Sequence, residues 1–224
     1  MAELILENVY YRYPGTDQNV LKGVDARFPE GKLAAVCGRS GAGKSTLLYL
    51  LSGLDVPSAG RILYNGIPLQ RHMLDDYRRN EAATIAQSYL LFPTRTALEN
   101  VLYPMELAKR DRKSAVLEAK RHLASVGIGE ELYDRLPNKL SGGEQQRIAI
   151  ARCLAAHSNV IAADEPTGNL DEENAESVMA LLKELCHSQG KTIIVVTHDS
   201  FVAEQCDLQY RLKNGRLILQ NKEK

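Results

Sequence analysis

The sequence predicts an α/β fold with a mainly parallel β-sheet at its centre. Apolar strands and amphipathic helices alternate through the last third of the chain, as they do when helical crossovers join parallel strands. The strand predicted over residues 191–197 has a β-branched apolar centre, which is typical of a strand buried on both faces. The first third contains strands joined by short turns, which indicates a β-rich layer beside the parallel core.

Apolar spacing and turn residues place the elements in chain order. Strands are predicted over residues 4–13, 20–28, 32–37, 61–64 and 159–163, and helices over 114–126 and 172–185. Asn65-Gly66 and Asn214-Gly215 are hairpin signals, and Gly127 ends the first of these helices. We expect one domain over 1–224, with a core at about 1–87 and 158–224 and a helical subdomain at about 88–157.

Composition narrows the classes of partner. The 28 Lys and Arg residues balance the 28 Asp and Glu residues, so nothing attracts the whole chain to nucleic acid or anionic lipid. No apolar run approaches the roughly 20 residues that span a bilayer, and no signal peptide is evident at Met1. The four cysteines lack C-x-x-C spacing, which favours reduced thiols in a cytosolic protein.

A phosphate-binding loop is predicted at residues 38–45. The sequence Gly-Arg-Ser-Gly-Ala-Gly-Lys-Ser fits G-x-x-x-x-G-K-[ST] between a strand and a helix. Glycines let backbone N–H groups turn inward toward phosphate oxygens, and the following helix adds its positive end. Lys44 would reach the β- and γ-phosphates, and the Ser45 hydroxyl would bind magnesium. The alternative, a glycine-rich turn without a ligand, leaves this combination unexplained.

Two adjacent carboxylates end the strand at 159–163. Alone, Asp164 and Glu165 could form a solvated strand edge. Beside a phosphate loop, Asp164 is assigned to the magnesium shell and Glu165 to the general base that activates water. Pro166 disfavours helical geometry at Glu165 and keeps the pair at a strand-to-loop corner.

A second glycine pair opens a predicted helix over residues 145–156. Ser141 and Glu144 form a capping-box pattern, which explains the helix start without a ligand. It does not explain Gly142 and Gly143, because glycines weaken a first helical turn. They are understandable if a second phosphate approaches the backbone N–H groups here.

Residues 140–147 resemble the signature motif of ABC ATPases, and the resemblance extends over essentially the whole chain. Residues 38–45 resemble the Walker A motif of that family, 160–165 Walker B, and Asn169-Leu170-Asp171 the D-loop. Gln87 matches the Q-loop glutamine, His198 the switch histidine, and Tyr13 the aromatic residue that stacks on adenine. The family implies a P-loop NTPase (RecA-like) core with an N-terminal antiparallel β layer and a helical signature subdomain.

The resemblance also implies the site residues. ATP would be bound by Tyr13, Gly38, Arg39, Ser40, Gly41, Ala42, Gly43, Lys44, Ser45, Thr46, Gln87, Ser141, Gly142, Gly143 and Gln145. Mg²⁺ would be bound by Ser45, Gln87 and Asp164, and catalysis would use Glu165, His198 and Lys44. Tyr10 and Tyr11 are alternatives to Tyr13 as the adenine contact. The other four histidines, His72, His122, His157 and His187, lie in polar contexts and are expected at the surface.

Members of this family act as head-to-tail dimers, with ATP between the Walker A motif of one copy and the signature motif of the other. We therefore expect a second copy and a transmembrane permease as partners, no nucleic acid, and membrane contact only through the permease. This implies a cytoplasmic protein, peripheral on the inner face of the cell membrane. The apolar residues 89–92 fit either the core of the helical subdomain or a groove for the permease.

The segments at 164–171 and 96–101 resemble those of the macrolide-export and lipoprotein-release group. The resemblance favours export or extraction of a large or amphipathic substrate over import. A soluble ABC ATPase acting on DNA or ribosomes is the alternative; those proteins resemble tandem domains or carry coiled-coil insertions, and this chain has neither. A P-loop kinase or GTPase would leave residues 140–147 unexplained.

Overall fold

The computed structural model describes residues 2–220, and its strands form two sheets. The strands are β1 (Leu4–Tyr11), β2 (Leu21–Phe28), β3 (Leu33–Cys37), β4 (Ala59–Tyr64), β5 (Ile67–Pro68), β6 (Ala82–Ile85), β7 (Val160–Asp164), β8 (Thr192–Thr197), β9 (Leu208–Lys213) and β10 (Arg216–Gln220). The first sheet is antiparallel, in the order β2-β1-β4-β5. The second has the order β10-β9-β3-β8-β7-β6, and only its β9–β10 hairpin is antiparallel.

The register of the parallel strands brings the functional segments to one edge. Cys37 pairs with Thr197, and Asp164 pairs with Val196. The loop after β3, the acidic end of β7 and the histidine after β8 therefore all leave the carboxyl edge of the sheet, where open α/β sheets bind ligands.

The parallel sheet has a hydrophobic core on each face. In β8, Ile193 and Val195 belong to the core shared with the long helices, whereas Ile194 and Val196 belong to the core shared with the antiparallel layer. Successive side chains of a strand point to opposite faces, so one buried strand contributes to both cores.

Seven α-helices surround these sheets in residues 2–220. They are α1 (Lys44–Leu51), α2 (Leu74–Asn80), α3 (Ala97–Leu107), α4 (Arg112–Ser125), α5 (Gly142–Ala155), α6 (Glu172–Gln189) and α7 (Ser200–Glu204). Helices α3, α4 and α5 pack on one another within residues 88–157. None of the helices described is long and apolar enough to cross a membrane.

The predicted α/β class is confirmed, and most predicted elements differ from the observed ones only at their ends. The first strand ends at Tyr11 rather than at residue 13, because the Tyr13 carbonyl accepts from Thr16 N in a turn. Helix α6 continues past residue 185 to Gln189, where Gly190 adopts a left-handed φ of 67° and ends it. All four cysteines are free, as expected.

Candidate nucleotide-binding site

The loop between β3 and α1 has the curled backbone that phosphate binding requires. Gly41 and Gly43 have φ of 75° and 102°, a region that glycine adopts without steric cost. A Cβ at Gly38 would lie 2.7 Å from the Leu212 carbonyl oxygen, so strand β9 permits only glycine there. Helix α1 begins without a side-chain cap, which leaves its first N–H groups available to an anion.

Lys44 lies along the inside of this loop. Its Nζ donates to the carbonyl oxygens of Gly38, at 2.8 Å, and Arg39, at 3.3 Å. The ammonium group is thus already held within the loop, next to the backbone that would surround a phosphate.

Ser45 and Asp164 meet across the end of the sheet. The Ser45 hydroxyl lies 3.5 Å from Oδ2 of Asp164. Burial raises the pKa of Asp164, and the neighbouring Glu165 charge raises it further. A hydroxyl and a partly desolvated carboxylate are hard oxygen ligands, which suit Mg²⁺. The residues present therefore fit the metal.

Glu165 and His198 form a close pair at the tips of β7 and β8. His198 Nδ1 lies 2.7 Å from Glu165 Oε1. Glu165 has a φ of 48°, so it is outside the right-handed helical region, as Pro166 predicts, but it is left-handed rather than extended. The Glu165 N–H donates to the Val196 carbonyl at 2.8 Å, which fixes this corner to β8.

Tyr13 is the exposed tyrosine beside the loop, whereas Tyr11 is buried in the core. The Tyr13 hydroxyl lies 2.8 Å from Thr46 Oγ1. A cleft of about 1270 Å³ is lined by Tyr13, by residues 38–42 and by His198. Lys22, Arg211 and Lys213 line it too and add three cations to Arg39. A cationic cleft with an aromatic residue at its side suits a nucleoside triphosphate.

Gln87 follows β6 and lies against the turn after Glu165. The Asn169 side chain donates to the Gln87 carbonyl oxygen at 3.0 Å. A Cβ at Gly168 would lie 3.4 Å from Gln87 Nε2. The turn at residues 168–169 therefore connects Gln87 to the acidic end of β7.

The predicted capping box is present at the start of α5. Ser141 Oγ accepts from Glu144 N at 3.3 Å, and a Glu144 oxygen accepts from Ser141 N at 2.6 Å. A Cβ at Gly143 would lie 2.5 Å from Asn174 Oδ1. Close packing against α6 therefore explains why a glycine stands at position 143. The glycine pair alone does not require a second anion. Gln145 Nε2 donates to the Leu140 carbonyl at 3.1 Å.

Within one chain, the structure does not bring Ser141–Gly143 to the cleft of the phosphate loop. Among the residues described, none of 140–147 lines that cleft. The phosphate loop, Ser45 with Asp164, and Glu165 with His198 lie at one edge of the sheet. The signature segment faces elsewhere, against Asn174 and the Tyr89 hydroxyl.

Two predictions about side chains, and one residue for which no prediction was made, need comment. His122 was expected at the surface but is partly buried, 3.6 Å from Glu118 Oε1, and burial lowers its pKa. Residues 89–92 divide between the two alternatives: Leu91 packs against the core shared with the helices, Phe92 packs against Tyr103 with ring centroids 4.5 Å apart, and Leu90 is exposed. Arg152, which sequence reasoning overlooked, donates to the Tyr89 and Leu90 carbonyls.

A different group of potential metal ligands lies at the opposite edge of the sheet. One ligand atom each of Cys186, His187 and Asp207 lies within 4.8 Å of the others. Each already has a protein partner: the Cys186 thiol donates to the Lys191 carbonyl at 3.1 Å, and His187 lies 3.0 Å from Asp207. Burial raises the pKa of the Cys186 thiol to about 12, which opposes the thiolate that a metal needs.

Fold and site together are typical of a protein that binds a nucleoside triphosphate. Residues 21–168 match the family model described as ABC transporter. The chain belongs to this family.

Similar proteins and a similar solved structure support the same family. The chain is 41% identical over 207 residues to the lipoprotein-releasing system ATP-binding protein LolD 2 of Rhodopirellula baltica, covering 88% of this chain and 81% of that protein. It is 43% identical to LolD of Idiomarina loihiensis over 210 residues, 92% of each chain. The dimeric, post-hydrolysis structure of the ATP-binding cassette MJ0796 with ADP and Pi has a TM-score of 0.88 at 35% identity, over 99% of both chains.

The protein is accordingly an ATP-binding and ATP-hydrolysing subunit of an ABC transporter, and its cofactors are ATP and Mg²⁺. The predictions of family, fold class, enzymatic activity and cofactors are confirmed. The roles of the individual site residues remain predictions.

Proposed function

We propose that this subunit powers a separate membrane permease that exports or extracts a large or amphipathic substrate. Its identity of 41% and 43% to two lipoprotein-releasing ATP-binding proteins supports this assignment. The permease would hold the protein at the inner face of the cell membrane, and residues 88–157 would be the helical subdomain that contacts it.

The proposed chemistry is divided among groups at one edge of the sheet. The loop at 38–45 and Lys44 hold the phosphates, and Tyr13 contacts the base. Mg²⁺, held by Ser45 and Asp164 with Gln87 nearby, would neutralise charge on the β- and γ-phosphates. Glu165 accepts a proton from the attacking water, and His198, 2.7 Å from its carboxylate, orients it.

The observation that carries the dimer proposal is the separation of Ser141–Gly143 from the cleft of the phosphate loop within one chain. A signature helix whose N-terminus faces away from its own phosphate loop can serve the loop of a second copy in a head-to-tail pair. The dimeric ABC cassette with ADP and Pi supports a dimer of this fold.

In the free subunit Ser141 caps its own helix. In the closed dimer the Ser141 hydroxyl, which accepts from Glu144 N, would donate its own proton to the γ-phosphate of the partner's ATP. This hydrogen bond would favour the closed dimer, because charge-assisted hydrogen bonds are about twice as strong as neutral ones.

The test is size-exclusion chromatography of Glu165→Gln with ATP and with ADP. Glutamine keeps the shape of glutamate but cannot accept a proton, so ATP should remain bound and the dimer should persist. We expect a dimer with ATP only; Glu172→Gln, at the exposed start of α6, is the control and should leave turnover unchanged. A monomer with bound ATP would contradict the dimer proposal, and sustained turnover would exclude Glu165 as the base.

Co-purification separates the transporter role from the alternative. A tagged subunit should be recovered from detergent-solubilised membranes of its host with a protein that contains membrane-spanning helices. Recovery with ribosomes or DNA instead would favour a soluble ABC ATPase.

A further inference from the structure

The segment after Gln87 has an unusual backbone conformation. Tyr89 and Leu90 have φ of 61° and 48°, values that residues other than glycine rarely adopt. The Leu90 side chain is exposed, so burial of that side chain does not hold the segment in place. Short turn bonds occur within it, from Tyr89 N to Ala86 O at 2.9 Å and from Leu90 N to Ser88 O at 2.7 Å.

Arg152 binds this segment from the last turn of α5. One guanidinium nitrogen donates to the Leu90 carbonyl at 2.8 Å and the other to the Tyr89 carbonyl at 3.1 Å. The guanidinium carbon lies 5.9 Å from the centroid of the Phe92 ring. A single planar fork thus holds two successive carbonyls, which a lysine ammonium cannot match.

Helix α5 touches the same segment near its other end. A Cβ at Gly142, in its first turn, would lie 3.0 Å from the Tyr89 hydroxyl. Tyr89 therefore contacts the helix near Ser141 through its side chain and near Arg152 through its backbone. Helix α5 has 14 residues and is about 21 Å long. Because its turns are hydrogen-bonded into one element, a displacement of its start at Ser141 would also displace Arg152 in its last turn.

We propose that Arg152 is a positioning residue that links the signature helix to the segment at 88–92. Engagement of Ser141 by nucleotide moves α5, and the guanidinium moves the Tyr89–Leu90 backbone with it. This inference rests on the proposed function, in which Ser141 binds the nucleotide of a second copy and residues 88–157 contact the permease. Desolvation lowers the pKa of Arg152, and the two carbonyl bonds replace water around this partly buried cation.

The test is hydrogen–deuterium exchange of the full chain, with and without Mg²⁺ and a non-hydrolysable ATP analogue. In Arg152→Ala without nucleotide, amides at 88–92 should exchange at least about tenfold faster, because losing one hydrogen bond to a charged group accounts for about that factor and this variant loses two. Arg152→Lys keeps the charge without the fork and should also exchange faster. Wild-type exchange in both variants would overturn the proposal.

Arg95→Ala is the matched control. Arg95 also faces the Phe92 ring, at 5.8 Å, and pairs with Glu106 at 2.8 Å, and neither contact involves the Tyr89 or Leu90 carbonyl. It should leave exchange at Tyr89 and Leu90 unchanged. Equal acceleration in both arginine variants would show that stacking on Phe92, and not the two carbonyl bonds, holds the segment.

The response to nucleotide distinguishes the two proposals. In the wild type, the analogue should slow exchange both at 38–45 and at 88–92; in Arg152→Ala only the first response should remain. A response at 88–92 that persists in Arg152→Ala, or that is absent from the wild type while 38–45 responds, overturns the link. Failure of 38–45 to respond in the wild type would instead overturn the proposed ATP site. Arg152→Lys provides the same test if Arg152→Ala does not fold.

Discussion

The imidazole of His198 lies 2.7 Å from the carboxylate of Glu165, across the ends of two neighbouring parallel strands. The His198 side chain is 71% exposed and that of Glu165 only 13%. The pair therefore connects a shielded carboxylate to an imidazole that lines the cleft, and the proposed base has one fixed orientation before any nucleotide arrives.

We expect His198→Ala to retain ATP affinity and to lose turnover by about 100-fold or more, the usual contribution of a positioned proton-transfer group. The phosphate loop does not depend on the imidazole, whereas the orientation of Glu165 does. Equilibrium ATP binding and steady-state phosphate release measure the two effects. His72→Ala, at an exposed position outside the cleft, is the control. Parallel losses of binding and turnover would contradict this division.

Ser141→Arg should stop hydrolysis while the dilute monomer still binds ATP, because the arginine would prevent approach of a second copy. Thr96→Arg is the matched control. Thr96 caps α3 with the same type of capping box, so both variants lose about 1 kcal/mol of stability. Only Ser141→Arg should lose turnover. Equal loss of ATP binding by the Ser141→Arg monomer would mean that the signature segment serves its own nucleotide.

Asp164→Asn should stabilise the nucleotide-free protein at neutral pH although it removes a proposed magnesium ligand. The folded-state pKa of Asp164 is raised by burial, so the carboxyl loses its proton in the unfolded state at a lower pH than in the folded state. The free energy of unfolding therefore decreases as pH rises from the ordinary aspartate pKa through the folded-state pKa of Asp164. It stays lower by that amount at neutral pH.

Urea unfolding of wild type and Asp164→Asn without nucleotide checks this sign. The variant should be more stable at pH 7, and its advantage should shrink toward about pH 4, where the unfolded carboxyl also becomes protonated. Asp134→Asn, at an exposed position, should show no such pattern. A variant less stable than wild type at pH 7 would refute the electrostatic penalty.

Asn100→Ala should lower the free energy of unfolding by about 2–3 kcal/mol. Fully buried, the Asn100 amide accepts from Phe92 N at 2.8 Å and donates to the carbonyls of Phe92, Arg95 and Thr96. Alanine would leave Phe92 N and the Arg95 carbonyl without these partners, whereas the Phe92 and Thr96 carbonyls would keep backbone N–H donors, from Arg95 and from position 100. Asn100→Asp keeps the acceptor but turns an oxygen toward three carbonyls, so it should destabilise at least as much. Chemical denaturation measures both, and a change below about 0.5 kcal/mol would contradict the role of this amide.

Most of the fold and the site at the sheet edge could be predicted because their signals are local. Each of these signals lies within a short stretch of sequence. Examples are the glycines and Lys44 of the phosphate loop, the acidic end of β7 and the Ser141–Glu144 cap. Strand order could not be read this way: β3 lies between β8 and β9, which are far from it in sequence. Gly143 had an unforeseen partner for the same reason, because Asn174 belongs to another helix.

Two polar side chains within apolar runs escaped the sequence analysis. Asn100 and Arg152 each interrupt a helical apolar pattern, a weak signal of a buried polar contact. Both bind backbone carbonyls of irregular segments, whose shape periodicity cannot predict. The left-handed Tyr89 and Leu90 were unforeseeable for a related reason, since their conformation is held by a helix about 60 residues away.

The assignment of alternate residues of one buried strand to different cores has a consequence for protein engineering. Val195 packs toward the helices and Val196 toward the antiparallel layer, so the two halves can be repacked from different sets of positions. Substitutions at the first set of positions would change the packing of the helices on the sheet, and substitutions at the second set would change the packing of the antiparallel layer. The two cores can therefore be redesigned one at a time, through alternate residues of the same strand.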